Sequence, residues 1–432
     1  MIGSIIVLLM RFRGGWRQTI GLPLGFVSVL TMTNIGTLLY LLPWYDPSKD
    51  PYLKQTGVTI EVVAQGGWMT AIGFLGFLVG TFLIRRQPVY GNTASFNPPG
   101  YALSNRIITF GTIFLIVSPL FRVIPSATPL SESAKLFLLC GICMGFITAS
   151  REKNQQTQAI YLLIAFMIPV VTVTIFGFLA SGAAMLALML SCFINRRFPE
   201  DRKRIVLALP FVPLLLWVGM SVFVTYMDSR VEIRKVVWEQ STVNEKFNRV
   251  TTSFSNFQWF DIGKTRHLHT IDIRLNQNVL VGRAVEQHES FQIPFEDGKT
   301  ILYSLVAWVP RVIWPGKPSA GGSDFVTLHT GRKFAGGTSV AVGHVFEFYV
   351  NFGILGVFVG FVAIGMFIRW LDLQATTYLL NGDNPKFIQY HVLGLVAIQP
   401  SALLFFWVTS MVGAFIITKL LARWLVTQGT KI

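Results

Sequence analysis

Charged residues are scarce in this chain: Asp, Glu, Lys and Arg make up 13% of its 432 residues, whereas 52% are hydrophobic. Soluble domains carry about 25% charge, so the composition excludes that class and indicates a multi-pass membrane protein. Cysteine is scarcer still. Cys140, Cys143 and Cys192 all fall inside apolar runs, which excludes a disulfide framework or a zinc site. Cys140 and Cys143 have C-x-x-C spacing, but "LFLLCGICMGF" supplies no second pair and no polar shell, so they read as small residues packing helices. The chain also lacks an Asp-x-Asp pair of the metal-holding kind, a G-x-S-x-G, a P-loop, an internal repeat and a low-complexity tract. Asp46 and Asp50, in "YDPSKDPYLK", read as solvated loop charges.

What is present is long apolar runs. Runs of spanning length cover residues 21–44, 62–84, 106–124, 134–149, 205–226 and 349–371. Two longer runs, 158–195 and 388–425, contain weak breaks at "FGFLASG" and "QPS", and each reads as a helical hairpin. The expectation is an all-α polytopic membrane protein of about ten transmembrane helices. The first residues, "MIGSIIVLLM", precede Arg11 and Arg13, the reverse of a signal peptide's order. They read as the tail of a span or as an interfacial anchor.

The formal net charge of +15 matters by its location rather than its sum, and nucleic acid is not expected as a partner. Arg11, Arg13, Arg17, Arg85, Arg86, Arg151, Lys153 and the cluster Arg196, Arg197, Arg202, Lys203 and Arg204 fall in alternate loops. Under the positive-inside rule those loops are cytoplasmic. Lys419, Arg423 and Lys431 place the C-terminus there too. The expected organisation is an N-terminal transmembrane bundle, 1–226, an extracytoplasmic loop, 227–348, and C-terminal transmembrane helices, 349–432.

The loop is where chemistry is sought. Its 14 Lys or Arg against 12 Asp or Glu make it nearly neutral, and it holds five of the six histidines. Ile233, Val236, Val243, Phe247 and Val250 form a helical stripe, and Leu268, Ile271, Leu275 and Val279 form a second. "ILYSLVAW", 301–308, is too short to span and is expected to lie on the membrane or dip into it.

Two constellations stand out. In "WVPRVIWPGKP", Trp308 to Pro318, three prolines stiffen the backbone that carries Arg311 and Lys317. Such preorganised cations suit a polyanion. The alternative is a structural turn whose cations meet lipid headgroups or nearby carboxylates. In "GHVFEFYVNFGILG", His344, Glu347 and Asn351 share a helical face that is expected to look into a cavity. A histidine with a carboxylate one turn away has the makings of a general base, or else of a hydrogen-bonded interfacial residue. Arg274 and Arg283 extend a cationic surface or stand as solvated charges. The Gly-rich stretch 320–339, with His329, Arg332 and Lys333, reads as a mobile loop or lid.

The order of these features resembles the Wzy-type oligosaccharide repeat-unit polymerases of bacteria. Their late outer loop commonly carries a proline-arginine pair, a "WP.KP" and a "GE.Y.NFG..G". These fall here on Pro310 with Arg311, on Trp314 to Pro318, and on Glu347, Tyr349, Asn351, Phe352, Gly353 and Gly356. The chain is similar more distantly to O-antigen ligases, whose functional histidine would fall on His344. It departs from related enzymes where "LASGAAMLAL" offers no arginine after Ser181.

The resemblance implies a GT-C-like membrane glycosyltransferase of the bacterial cytoplasmic membrane, acting on its outer face. Its substrate would be an undecaprenyl-diphosphate-linked oligosaccharide, and its partners membrane lipids and the chain-length regulator and flippase of the pathway. Arg311 and Lys317, helped by Arg274 and Arg283, would hold the diphosphate. His344 or Glu347 would act as base, and Trp314, Tyr349 and Asn351 would contact glycan, with no metal and no cofactor. A ligase, or a flippase of lipid-linked glycans, is the alternative function.

Overall fold

The computed structural model describes residues 19–49, 58–84, 99–118, 128–197, 211–238, 242–309, 313–317, 322–334 and 340–427. The N-terminal apolar segment, Arg85 and Arg86, the cluster Arg202 to Arg204, Arg311, and Lys431 lie outside these residues. Among the described residues the regular structure is entirely helical.

The apolar runs become helices whose ends coincide with local stop signals. Helix α1 (Leu22–Thr33) follows Gly21 in the left-handed region, and α2 (Ile60–Leu83) begins where Thr59 Oγ1 accepts from Val62 N at 3.2 Å. Next come α3 (Tyr101–Val117) and α4 (Thr128–Arg151). The run 158–195 splits into α5 (Gln155–Phe176) and α6 (Leu179–Arg197), because Gly177 at φ 72 closes α5 with a bond from its N–H to Val173 O. Helix α7 (Phe211–Trp238) leads into the large loop.

In the loop, the first hydrophobic stripe is two helices rather than one. Thr242 and Glu245 form a reciprocal capping box that starts α8 (Val243–Ser255) afresh after α7. The second stripe is likewise divided between α9 (Thr265–Arg274) and α10 (Asn278–Ser290). Here Leu275 N caps α9 on Ile271 O, and Leu275 O is taken by Gly36 N at 2.8 Å. Two short helices follow, α11 (Lys299–Leu305) and α12 (Ser323–Thr330). Helix α11 turns Leu302, Leu305 and nearby Trp308 outward while burying Thr300 and Ser304.

Helix α13 (Gly343–Leu380) returns the chain to the bundle and is broken at Phe352 and Gly353, which have non-helical backbone angles. The run 388–425 then divides into α14 (Asn384–Ala397) and α15 (Leu404–Thr427), with the break around Gln399 to Ser401. Among the described residues, five helices are long and apolar enough to cross a membrane: α2, α5, most of α7, α13 and most of α15. A sixth arises if α1 and the 3-10 segment Ile35–Leu41, bent by 50°, form one span. The run expected to span over 21–44 is therefore bent at Asn34, whose side chain turns back to Leu30 O.

The loop helices rest directly on the apolar helices. Gly66 of α2 faces the Asn278 carbonyl, and Gly282 of α10 faces the Val62 carbonyl, so closely that a Cβ on either glycine would collide with backbone. This glycine contact brings the base of the loop domain against α2. A polar chain continues the seam: Thr70 donates to Asn278, Asn278 Nδ2 to Thr37 Oγ1 at 2.8 Å, and Thr37 to Asn276 at 2.9 Å. Deeper in the bundle, Arg369 and Asp372 of α13 pair at 2.6 Å. The same carboxylate accepts from Thr19 Oγ1 and from Ile20 and Leu22 N, which fixes the start of α1. Cys140, Cys143 and Cys192 are free and buried, and His391 contacts the Cys140 sulfur at 3.4 Å.

Candidate functional site

His344, Glu347 and Asn351 share one face of α13, as their spacing predicts. That face is enclosed rather than open to a cavity: the three residues are almost fully buried. Glu347 reaches across to α15, where Oε2 accepts from Leu404 N at 2.7 Å, in the first turn of the helix. A carboxylate there meets unsatisfied N–H groups and the positive end of the helix dipole. Its Oε1 faces Ser304 Oγ of α11 at 3.5 Å. Asn351 donates to Thr300 Oγ1 at 2.6 Å and to Glu347 O at 2.7 Å. The His344 backbone N–H caps Pro400 O at 2.9 Å, while its ring packs edge-on against Trp407. The polar face thus joins α11, the α14–α15 break and the start of α15.

Lys317 is brought to the same junction. It is only 7% exposed, and its ammonium donates to the carbonyls of Ala307 at 2.5 Å and Val309 at 2.8 Å. It also lies 5.7 Å from the centre of the Phe405 ring, one residue beyond Leu404. The lysine folds the Pro-rich motif back onto itself, leaving Trp314 exposed. Arg311, between those bonds, lies outside the described residues.

The second-line arginines are placed elsewhere. Arg283 pairs with Glu286 one turn on. Arg274 ends α9 against α7, and its pKa is lowered by burial and by the charge of Arg230. The neighbouring Arg234 donates to Gly177 O at 3.2 Å and covers the Phe178 ring, so it caps the C-terminal end of α5. Tyr349 is buried and faces His288 edge-on.

That histidine belongs to a cluster that spacing along the sequence does not reveal. His288 at the end of α10 contacts His329 of α12 through Nε2 and Nδ1 at 3.2 Å. His329 Nε2 in turn lies 3.2 Å from Glu296 Oε1. His329 has a side-chain exposure of 0%, whereas Glu296 keeps 23%. The imidazoles stack on each other, with Phe295 stacked on His288 at 4.4 Å and Phe325 edge-on to His329. Burial lowers the pKa of both histidines, and in His329 the neighbouring His288 lowers it further while Glu296 opposes the shift. The members are 41 and 33 residues apart, so no helical or strand period links them. A second unforeseen centre is Asp272, whose carboxylate takes the hydroxyls of Tyr40 at 2.7 Å and Tyr45 at 2.6 Å and the amide of Asn276.

Among the described residues, no group of three or more His, Cys, Asp or Glu side chains converges on a point suited to a metal ion. No curated protein and no solved structure matches the chain. A family model described as a domain of unknown function (DUF8712) does match, over residues 22–382, from the first residue of α1 to just past the end of α13. The chain belongs to that family.

Proposed function

We propose that this protein is a membrane glycosyltransferase that polymerises undecaprenyl-diphosphate-linked oligosaccharide repeat units on the outer face of the bacterial cytoplasmic membrane. In this reading the bundle has about ten spans in a GT-C-like arrangement, with both terminal flanks in the cytoplasm and the loop domain outside. The observation that carries it is the meeting of the two sequence motifs at one place. The Pro-rich turn and the start of α13 converge on the first turn of α15, through Lys317 beside Phe405 and Glu347 on Leu404 N.

The chemistry asks for such a place. An acceptor hydroxyl attacks the anomeric carbon of the donor while lipid diphosphate departs, so fixed positive charge must meet the leaving group. Arg311 supplies the planar fork for phosphate oxygens. Lys317, held on backbone carbonyls, shapes the turn and adds its field from behind. Glu347, His344 and Asn351 frame the junction, and Trp314 offers an exposed ring to lipid or sugar.

The test is to incubate purified protein in vesicles with the undecaprenyl-diphosphate oligosaccharide that accumulates in cells lacking it. A ladder of longer lipid-linked products is expected, with Arg311→Ala lowering elongation at least about 100-fold. Translocation of the lipid without elongation would replace this reading with a flippase, and transfer to a different acceptor would replace it with a ligase.

A further inference from the structure

We propose that Glu296, aligned by His329 and His288, is the general base that takes the proton of the attacking hydroxyl. This rests on the glycosyl-transfer reading above. Glu347 and His344, the pair visible in the sequence, are enclosed, with Glu347 bound to Leu404 N. Glu296 is different in each respect that matters for a base.

It stands where α10 gives way to α11, next to the junction just described. Its backbone is fixed at both ends: its N–H donates to Val350 O at 2.9 Å, and its carbonyl accepts from Lys299 N at 2.9 Å. The Val350 carbonyl accepts this N–H just before the break at Phe352 and Gly353, where α13 leaves helical geometry. Asn351, the next residue, ties to Thr300 one residue past Lys299. Glu296 is thus joined to the same two elements that carry Glu347 and the Pro-rich turn.

One oxygen of its carboxylate is bonded, and the side chain keeps 23% exposure. Oε1 is 3.2 Å from His329 Nε2, and among the described residues no hydrogen bond reaches Oε2. With Glu296 ionised, His329 Nε2 carries the proton and donates it. His329 Nδ1 is then the acceptor for His288 Nε2–H, which sets both tautomers. The enclosing Phe295, Phe325 and Phe346 keep these imidazoles in an apolar setting. A neutral imidazole orients the carboxylate without cancelling its charge. Among the described residues Tyr349 of α13 stands edge-on to His288, and the charge of Glu289 acts on Tyr349.

In the step itself the acceptor oxygen forms the new bond to the anomeric carbon. The bond from that carbon to the diphosphate oxygen breaks, and its electron pair leaves with the lipid diphosphate. The hydroxyl proton ends on Glu296 Oε2. His329 and His288 are positioning residues, since neither touches substrate in this scheme.

The experiment uses the full-length protein in vesicles with the accumulated undecaprenyl-diphosphate oligosaccharide as probe. Glu296→Gln is expected to slow elongation at least about 100-fold with KM within about twofold, and added formate is expected to restore about tenfold of the loss in Glu296→Ala. His329→Phe should cut kcat about tenfold with KM little changed, because the carboxylate loses the donor that fixes its orientation. His329→Gln, which keeps an N–H, should restore most of that kcat. Elongation by Glu296→Gln at more than about a tenth of the wild-type rate overturns the assignment and leaves the polymerase reading standing. Absence of elongation by the wild-type protein overturns both.

Discussion

The molecule holds two histidine–glutamate pairs, and they are built in opposite ways. His344 and Glu347 lie one turn apart on a single helix, yet they do not bond each other. Neither ring nitrogen of His344 finds a partner among the described residues, and Glu347 serves the first turn of α15. Glu296 and His329 come from segments 33 residues apart and do meet, at 3.2 Å. The first pair has a fully enclosed histidine and a carboxylate that joins helices, and the second has an enclosed histidine and a carboxylate reaching the surface. Proximity in sequence therefore marked a frame, while proximity in space marked a bonded pair. A buried carboxyl group is costly unless it is hydrogen-bonded, paired or protonated, so its partners define architecture first.

The contrast breaks most visibly at the polar groups that hold helices together. Asp372→Ala leaves Arg369 buried without its counter-charge and frees three donors at the start of α1. The expected loss is about 3–5 kcal/mol, read as a lowered unfolding midpoint in detergent. The double variant with Arg369→Ala should recover part of it, and no recovery would show that the ion pair is not the source. Glu347→Ala strands Leu404 N and empties a packed site, for an expected loss of about 2 kcal/mol in the same measurement. Glu296→Gln should stay within about 0.5 kcal/mol of wild type, in line with other surface substitutions. Equal losses at the two glutamates would erase the distinction drawn here.

His288 and His329 should also respond to acid. Burial lowers the pKa of His288 and His329 below the unfolded value near 6.5, so the folded state holds them neutral while the unfolded chain takes up protons. Their contribution is complete above that value and is lost as pH falls toward the folded values, with a slope of up to about 1.4 kcal/mol per pH unit for each group. Unfolding midpoints measured from pH 7.5 to 5 should fall, and the fall should be shallower in His288→Gln; an unchanged slope would remove the cluster as its source. The smallest effect is expected at Arg274→Gln. Relieving repulsion with Arg230 should stabilise by no more than about 0.5 kcal/mol, and a clear loss would mean that Arg274 has a partner of opposite charge.

Much of the fold was legible because lipid imposes a simple rule: every spanning segment must satisfy its own backbone. The breaks in the two long runs followed from Gly177 and from Gln399 to Ser401. Helix stops and starts inside the loop were less visible. The capping box at Thr242 and Glu245 was written in the chain, but the apolar stripe running past it hid the restart. The bend at Asn34 had no comparable signal, since it comes from the side chain folding back on Leu30 O. The polar face of α13 could be read from spacing, whereas its burial depended on α11 and α15 arriving against it. Lys317 shows the same limit: the sequence announced a cation but not the carbonyls that would seat it. The glutamate–histidine–histidine chain is a product of tertiary packing alone, and only the enrichment of histidine in the loop hinted at it.

Gly353 carries a consequence beyond its own position. It adopts φ 61 and ψ −149, a combination reserved almost wholly for glycine. A methyl group there would meet no crowding closer than Phe295 at 3.5 Å, so the restriction is one of torsion and not of room. The aim of a carboxylate some sixty positions earlier in the chain accordingly depends on a residue with no side chain to contribute. Drift at this site would be felt as a misdirected Glu296 before it was felt as a misfolded helix.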